Sequence, residues 1–296
     1  MNLIMEDNAQ VSYENGGVRM FNLLSSELYK WRKSKAFYIC LLSALVCIVI
    51  IWMTFWLEDQ VERGKIESGT MGFTVLEPTA EDKEATGILD DLNIMQMIQT
   101  FAGGGFSTLF IAIFVCIWVV GEYTNGAVKN TVGKGISRSK VFAAKFISSV
   151  AASLALNMGI LMATVLTGVA VVGTARIGET FWQDCLAYAG VQLMLGMAYA
   201  GVIAMFGEFT RNMAAGIGIG ILLAALSTTL ADGADLLFRI ANIDFRVSDY
   251  WIVSVIEQCP YEGIDMNFAG RALGVTVLWM AVSLIAGMVH FCEADV

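Results

Sequence analysis

Charge is scarce in this sequence of 296 residues. Asp, Glu, Lys and Arg make up 15% of it, against about 25% in soluble domains. Proline occurs twice and histidine once, as His290. The six cysteines form no C-x-x-C pair and no metal-ligand spacing. No phosphate loop of the form G-x-x-x-x-G-K-[ST] is present. Gly133-Lys134-Gly135 and Gly64-Lys65-Ile66 lack both the first glycine and the Ser/Thr. These absences exclude a disordered or collagen-like chain, a disulfide scaffold and a chain that binds ATP by itself. What is abundant is apolar: 57% of residues, with mean hydropathy +0.66. Lipid is the expected solvent.

Six runs carry no Lys, Arg, Asp or Glu: Ala36–Leu57, Ile94–Val120, Phe146–Gly173, Leu186–Phe206, Met213–Ala231 and Ala272–Phe291. Each approaches or exceeds the roughly 20 residues that cross a bilayer core. The expected fold is an all-α integral membrane protein with six transmembrane helices over 36–291 (36–57, 94–120, 146–173, 186–206, 213–231 and 272–291). Six spans put both termini on one side. That side holds eleven Lys/Arg and eight Asp/Glu, and the other holds seven and nineteen. The basic excess predicts cytoplasmic termini. The net charge of −9 is thus +3 inside and −12 outside, and it speaks against a nucleic-acid partner.

The first 35 residues are polar or amphipathic, and the first apolar run is too long for a signal h-region. The expectation is an uncleaved first span. Residues 1–17 read as a flexible cytoplasmic tail and 292–296 as a second tail. Over 18–35, Met20, Leu24, Leu28 and Trp31 share one helical face. Arg19, Asn22, Ser26, Lys30 and Lys33 fall mostly on the other, which predicts an interfacial amphipathic helix.

Cys185 and Cys259 both fall near the outer face, where they either pair or stay free. The outer loop 58–93 is acidic and reads as solvated. Tyr250–Ile256 is too short to span and reads as a short interfacial or re-entrant helix before Pro260. Gly103-Gly104-Gly105 predicts a kink or a close approach in the second span. Small residues at four-residue spacing, including Gly159, Gly196, Gly216 and Gly220, predict tight helix packing within a bundle or across a dimer. Asn157, Gln192, Gln96 and Gln99 read chiefly as packing hydrogen bonds. Ser107 and His290 should lie at different depths, which rejects a Ser–His pair.

The informative segment is the inner loop 121–145, with five basic residues and one acid. Thr124 can cap a short helix to about Val132, Gly133 and Gly135 break it, and Ser137 can cap the third span. Gly207-Glu208-Phe209-Thr210 repeats Gly121-Glu122-Tyr123-Thr124. N-L-L-x-S-E-L-Y-K (Asn22 to Lys30), G-E-Y-T-N-G-x-x-K-N-T (Gly121 to Thr131) and G-x-S-R (Gly135 to Arg138) together resemble the ABC transporter type-2 permeases. The resemblance is strongest to bacterial exporter permeases, including those that give immunity to lantibiotic-type peptides.

The resemblance implies that 122–138 carries a coupling helix docking on a separate ABC ATP-binding subunit. Its contact residues would be Glu122, Tyr123, Asn125, Gly126, Lys129, Asn130, Gly135, Ser137 and Arg138, with Glu208 and Arg211 as a second cytoplasmic contact. It implies a second permease chain, as a homo- or heterodimer, and placement in the bacterial plasma membrane. The chain itself would have no catalytic residue, metal or cofactor, and ATP and Mg would belong to the partner. The expected cargo is hydrophobic or amphipathic, an antimicrobial peptide among the candidates. A non-transporting membrane scaffold or sensor and a secondary carrier are the alternatives.

Overall fold

A computed structural model describes residues 21–62, 66–69, 72–75 and 93–293, apart from 125, 134, 135 and 174–177. The 1–17 tail, most of loop 58–93 and residues 294–296 fall outside the described residues. The chain begins with helix α1 over 21–32. Then follow α2 (Lys35–Glu62), a hairpin of β1 (Ile66–Gly69) and β2 (Gly72–Val75), α3 (Ile94–Ile98), α4 (Gly105–Thr124) and α5 (Ala127–Gly133). The remainder is α6 (Arg138–Val172), α7 (Phe181–Thr210), α8 (Met213–Ile240), α9 (Ile252–Glu257) and α10 (Met266–Glu293).

Among the described residues six helices are long and apolar enough to cross a membrane. They match the six charge-free runs, so the fold is the expected all-α membrane bundle. The one departure is the hairpin in the acidic loop, with Ile66 opposite Val75 and Gly69 opposite Gly72.

The helices outrun the apolar runs. The third starts at Arg138 rather than Phe146, and the fifth continues to Ile240 rather than Ala231. Apolar content marks the bilayer core, whereas helical hydrogen bonding continues wherever polar side chains reach water or partners.

The glycine run breaks the second span. α3 passes into a π turn, Gln99–Gly103, and Gly104 is extended (φ −91°, ψ −170°) before α4 starts. Gly103 also allows a close approach, because a Cβ there would stand 1.9 Å from the Tyr188 hydroxyl.

α7 is the most enclosed span. It packs against α4, α6, α8, α9 and α10. Small residues allow this: a Cβ on Gly196 would meet Asn157, and one on Gly201 would meet Phe146 and Ser283. The Gly216–Gly220 stripe of α8 faces Cys116 and Ala112 of α4, so it is packing within one chain. α9 is a buried plug, with Ile252, Val253, Val255 and Ile256 each at most 2% exposed.

The bundle has two polar ends. The basic end carries α1, α5 and the turn between α7 and α8. The acidic end carries α3, α9 and the segments around Asp184 and Glu262.

Candidate functional site

The densest cluster of charges within the bundle lies at the basic end. α4 ends in Gly121-Glu122-Tyr123-Thr124, which delivers two consecutive polar side chains at the margin of the core. Glu122 receives both neighbours: Lys30 of α1 reaches its Oε1 at 3.2 Å, and Lys145 of α6 reaches its Oε2 at 3.2 Å. Lys30 also pairs with Glu27 at 2.6 Å, one helical turn back. Burial alone would lower the Lys30 ammonium, but Glu27 and Glu122 outweigh it and hold it above the ordinary lysine value.

Lys145 is 3% exposed. Besides Glu122 it donates to the Val119 carbonyl at 3.3 Å, and its ammonium stands 4.8 Å from the Tyr123 ring centroid. A buried ammonium is tolerated only with such pairing. Tyr123 then extends the cluster to α7. Its hydroxyl donates to Glu208 Oε2, and the Arg211 guanidinium stacks on the same ring at 5.3 Å. One tyrosine therefore has a cation near its ring from each of two elements, and a carboxylate at its tip.

Apolar contacts tie the same elements together. Trp31, Phe37, Phe114 and Trp118 form a chain of ring contacts from α1 through α2 into α4, with centroids 5.3, 5.5 and 6.3 Å apart. Trp118 donates to Ser148 of α6 at 3.3 Å. The interfacial face of α1 also departs from the simple amphipathic reading, because Glu27 is buried at 5% exposure.

The short helix α5 lies beside this cluster. Its start differs from the expected one. Thr124 is the last residue of α4 rather than the cap of α5. The break falls two residues later, at Gly126, whose φ of +67° suits glycine. Gly126 donates its N–H to the Tyr123 carbonyl and accepts from Asn130 N–H, at 3.2 Å each. Gly133 is the last residue of α5 rather than its breaker. Val128 is buried against the bundle, while Asn130, Gly133 and Ser137 are exposed.

Ser137 holds the capping position of α6 through its backbone carbonyl, with no side-chain cap bond. Arg138 donates to the Cys292 carbonyl at 3.1 Å, tying α6 to the end of α10. Asn125 and Gly135, and the side chain of Lys129, lie outside the described residues.

Of the residues picked out from sequence, the structure brings together Glu122, Tyr123, Glu208 and Arg211. It leaves Asn130 and Ser137 on the surface. Glu208 is 1% exposed and accepts from Tyr123 inside the bundle. Lys145, Lys30 and Glu27 complete the cluster; in the sequence Lys145 reads as a charge of the inner loop, and Glu27 and Lys30 belong to the amphipathic segment. A signal existed for each. Glu27 and Lys30 stand at i, i+3, and Lys145 falls two turns into a helix begun after Ser137.

The amide side chains of the spans are engaged toward the other end. Gln99 donates to the Cys259 carbonyl at 2.9 Å, and Gln96 to the Tyr261 hydroxyl at 3.3 Å. Gln192 donates to the Ile256 carbonyl at 2.9 Å and to the Tyr188 hydroxyl at 3.2 Å. Asn157 reaches the Gln192 carbonyl at 3.4 Å. Ser107 donates to the Ala102 carbonyl, while His290 stacks edge-on against Phe209. Cys185 and Cys259 are both free and buried. Among the described residues no group of His, Cys, Asp and Glu could hold a metal ion.

A family model described as ABC-2 family transporter protein matches residues 23–227. The matched region contains all but the first two residues of α1, the whole of α5 and every charged residue of the basic cluster. No curated protein matches the chain.

Proposed function

The chain belongs to the ABC-2 family of transporter proteins and is the membrane permease of an ABC transporter; on that premise we propose that it is an exporter subunit driven by a separate ATPase at its basic end. The observation that carries this reading is the cluster around Glu122. It joins α1, α4, α6 and α7 through charges that are mostly buried, and the short helix α5 packs beside it against α4 and α6. A push on α5 is thereby felt by three spans at once.

The exposed residues Asn130 and Ser137, with Lys129, Arg138 and the loop residues Asn125, Gly126 and Gly135, form the docking surface. Charge complementarity there sets the register of the partner. Glu122, Tyr123, Glu208 and Arg211 transmit rather than touch. The partner would hold ATP and Mg²⁺. Two permease chains and two ATPase chains would complete the transporter, in a bacterial plasma membrane with the basic end in the cytoplasm. Rigid-body shifts of helices packed on small residues suit such a cycle.

A bundle with no charge in its central layers fits a hydrophobic or amphipathic cargo, such as an antimicrobial peptide. The test is purification of the permease with the ATPase co-expressed from an adjacent reading frame, followed by ATPase assays over a panel of such peptides. Co-purification should be lost on deleting 125–135, and hydrolysis should rise with the cognate peptide. Robust hydrolysis by the isolated permease would overturn the reading.

A further inference from the structure

The coupling cluster does not engage every cation of the basic end. Lys30, Arg32, Lys33 and Lys35 follow one another with no Asp or Glu from Leu28 to Leu57. Of these, Lys30 is taken up by Glu27 and Glu122. Arg32, Lys33 and Lys35 are exposed and meet no carboxylate among the described residues. Lys33 stands 4.8 Å from the Tyr29 ring centroid, a contact that leaves its charge uncancelled. All three cations sit at the corner where α1 turns into α2.

That corner is held in shape. Ser34 N–H donates to the Trp31 carbonyl at 2.9 Å, and the Tyr38 hydroxyl donates to the Arg32 carbonyl at 3.0 Å. Trp31 and Phe37 meet edge-on across the turn. The charge-free run starts at Ala36, so the corner lies at the edge of the hydrocarbon core, level with the lipid phosphates.

Beyond the corner the surface changes character. Ala44, Ile48 and Trp52 bury the inner face of α2, while Tyr38, Ile39, Leu42 and Val46 are 49–65% exposed. From Lys35 to Val46 the helix rises about 16 Å, close to one leaflet of a core about 30 Å thick. A cationic corner above an apolar column one leaflet deep complements an amphiphile with an anionic head and long chains. A soluble anion would leave the column uncovered, and an acidic protein surface would not reach below the corner.

We propose that the α1–α2 corner holds an anionic phospholipid of the adjoining leaflet, its phosphate against Arg32, Lys33 and Lys35 and an acyl chain along Tyr38, Leu42 and Val46. The inference needs only that the chain crosses a bilayer. It is independent of the ATPase, the cargo and the direction of transport.

The test is native mass spectrometry of the purified permease in detergent, titrated with phosphatidylglycerol or phosphatidylcholine of the same chains. Phosphatidylglycerol should be retained more tightly, and added salt should weaken it. Arg32→Gln should lower its affinity roughly fivefold, and Arg32→Gln with Lys33→Gln and Lys35→Gln roughly a hundredfold, at about a fivefold loss per charge. Phosphatidylcholine binding should not change. Lys140→Gln, which removes a cation from α6, should leave both lipids as they are. If the triple variant does not elute as a single species, Arg32→Gln and Lys33→Gln are compared singly.

Glycerophosphoglycerol, the same head without chains, should not compete; if it does, the corner is a site for free anions. Equal affinity for the two lipids would overturn the proposal, as would a loss in Lys140→Gln equal to that in Arg32→Gln. So would a triple variant that keeps phosphatidylglycerol but loses a co-purifying protein.

Discussion

At the basic end, Lys30 and Lys145 share the carboxylate of Glu122 from two different helices. At the acidic end, Gln99 and Gln192 reach single backbone carbonyls around α9. Both arrangements are largely buried and both join several helices, yet their physics differs. A charge pair in a poorly screened site loses attraction gradually with distance. An amide hydrogen bond weakens steeply once its angle or length departs from the optimum. The basic end can therefore be displaced while its groups stay coupled, whereas the acidic end holds one geometry or lets go. On the function proposed above, with the ATPase at the basic end, the first arrangement would serve as a compliant coupling and the second as a clasp.

Substitutions can break or sharpen that contrast. The largest effect belongs to Lys145→Met. Removing one partner of a buried pair costs about 3–5 kcal/mol, read as a drop in thermal midpoint in detergent. The double variant Lys145→Met with Glu122→Gln should recover part of it, the mark of a coupled pair. Independent, additive losses would mean that Glu122 and Lys145 do not work as a unit.

Next comes Tyr123→Phe, which keeps the ring beside Lys145 and Arg211 but deprives buried Glu208 of its donor. The expected loss is about 1.5–3 kcal/mol. In the assembled transporter it should lower cargo-stimulated hydrolysis more than basal hydrolysis.

At the acidic end, Gly103→Ala drives a methyl group into the Tyr188 hydroxyl. The cost is about 1–3 kcal/mol from overpacking, and Tyr188→Phe in the same chain should relieve it. A Gly103→Ala protein with unchanged stability would contradict the close approach.

Gln192→Leu should cost about 0.5–1.5 kcal/mol and slow basal and stimulated hydrolysis in proportion. Were it as damaging as Lys145→Met, the two ends would not differ in the way described. The smallest effect is expected of Arg271→Gln, which removes the half-exposed pair with Asp249 at 2.6 Å. Such pairs contribute about 0–1 kcal/mol and fade with salt.

Much of this molecule was legible in its sequence because a bilayer imposes a simple rule. Charge is kept out of spans, so six charge-free runs read directly as six helices. The triple glycine announced the broken second span for a similar reason, since few residues tolerate that backbone. The resemblance in Gly121 to Thr131 drew attention to Glu122 and Tyr123. Their partners were not legible. Lys145 sits one residue outside an apolar run and resembles any basic flank, and only the early start of α6 at Arg138 shows that it points into the bundle. Thr124 has the chemistry of a helix cap, but the preceding helix simply continues through it, and a glycine two residues later makes the turn. Helix ends depend on tertiary partners such as Glu208 and Cys292, which local sequence does not encode.

The link between α7 and α8 consists of Arg211 and Asn212 alone. Arg211 is left-handed at φ +47°, and Asn212 caps α8 by accepting from Ala214 and Ala215 at 3.0 and 3.2 Å. Three Cα steps of 3.8 Å bound the separation of the two helix ends at about 11 Å, even fully stretched. The joint has no slack. Whatever displaces the foot of α7 is handed to α8 without delay or loss, and an affinity tag or reporter domain spliced between Arg211 and Asn212 would disconnect a drive shaft rather than decorate a loop.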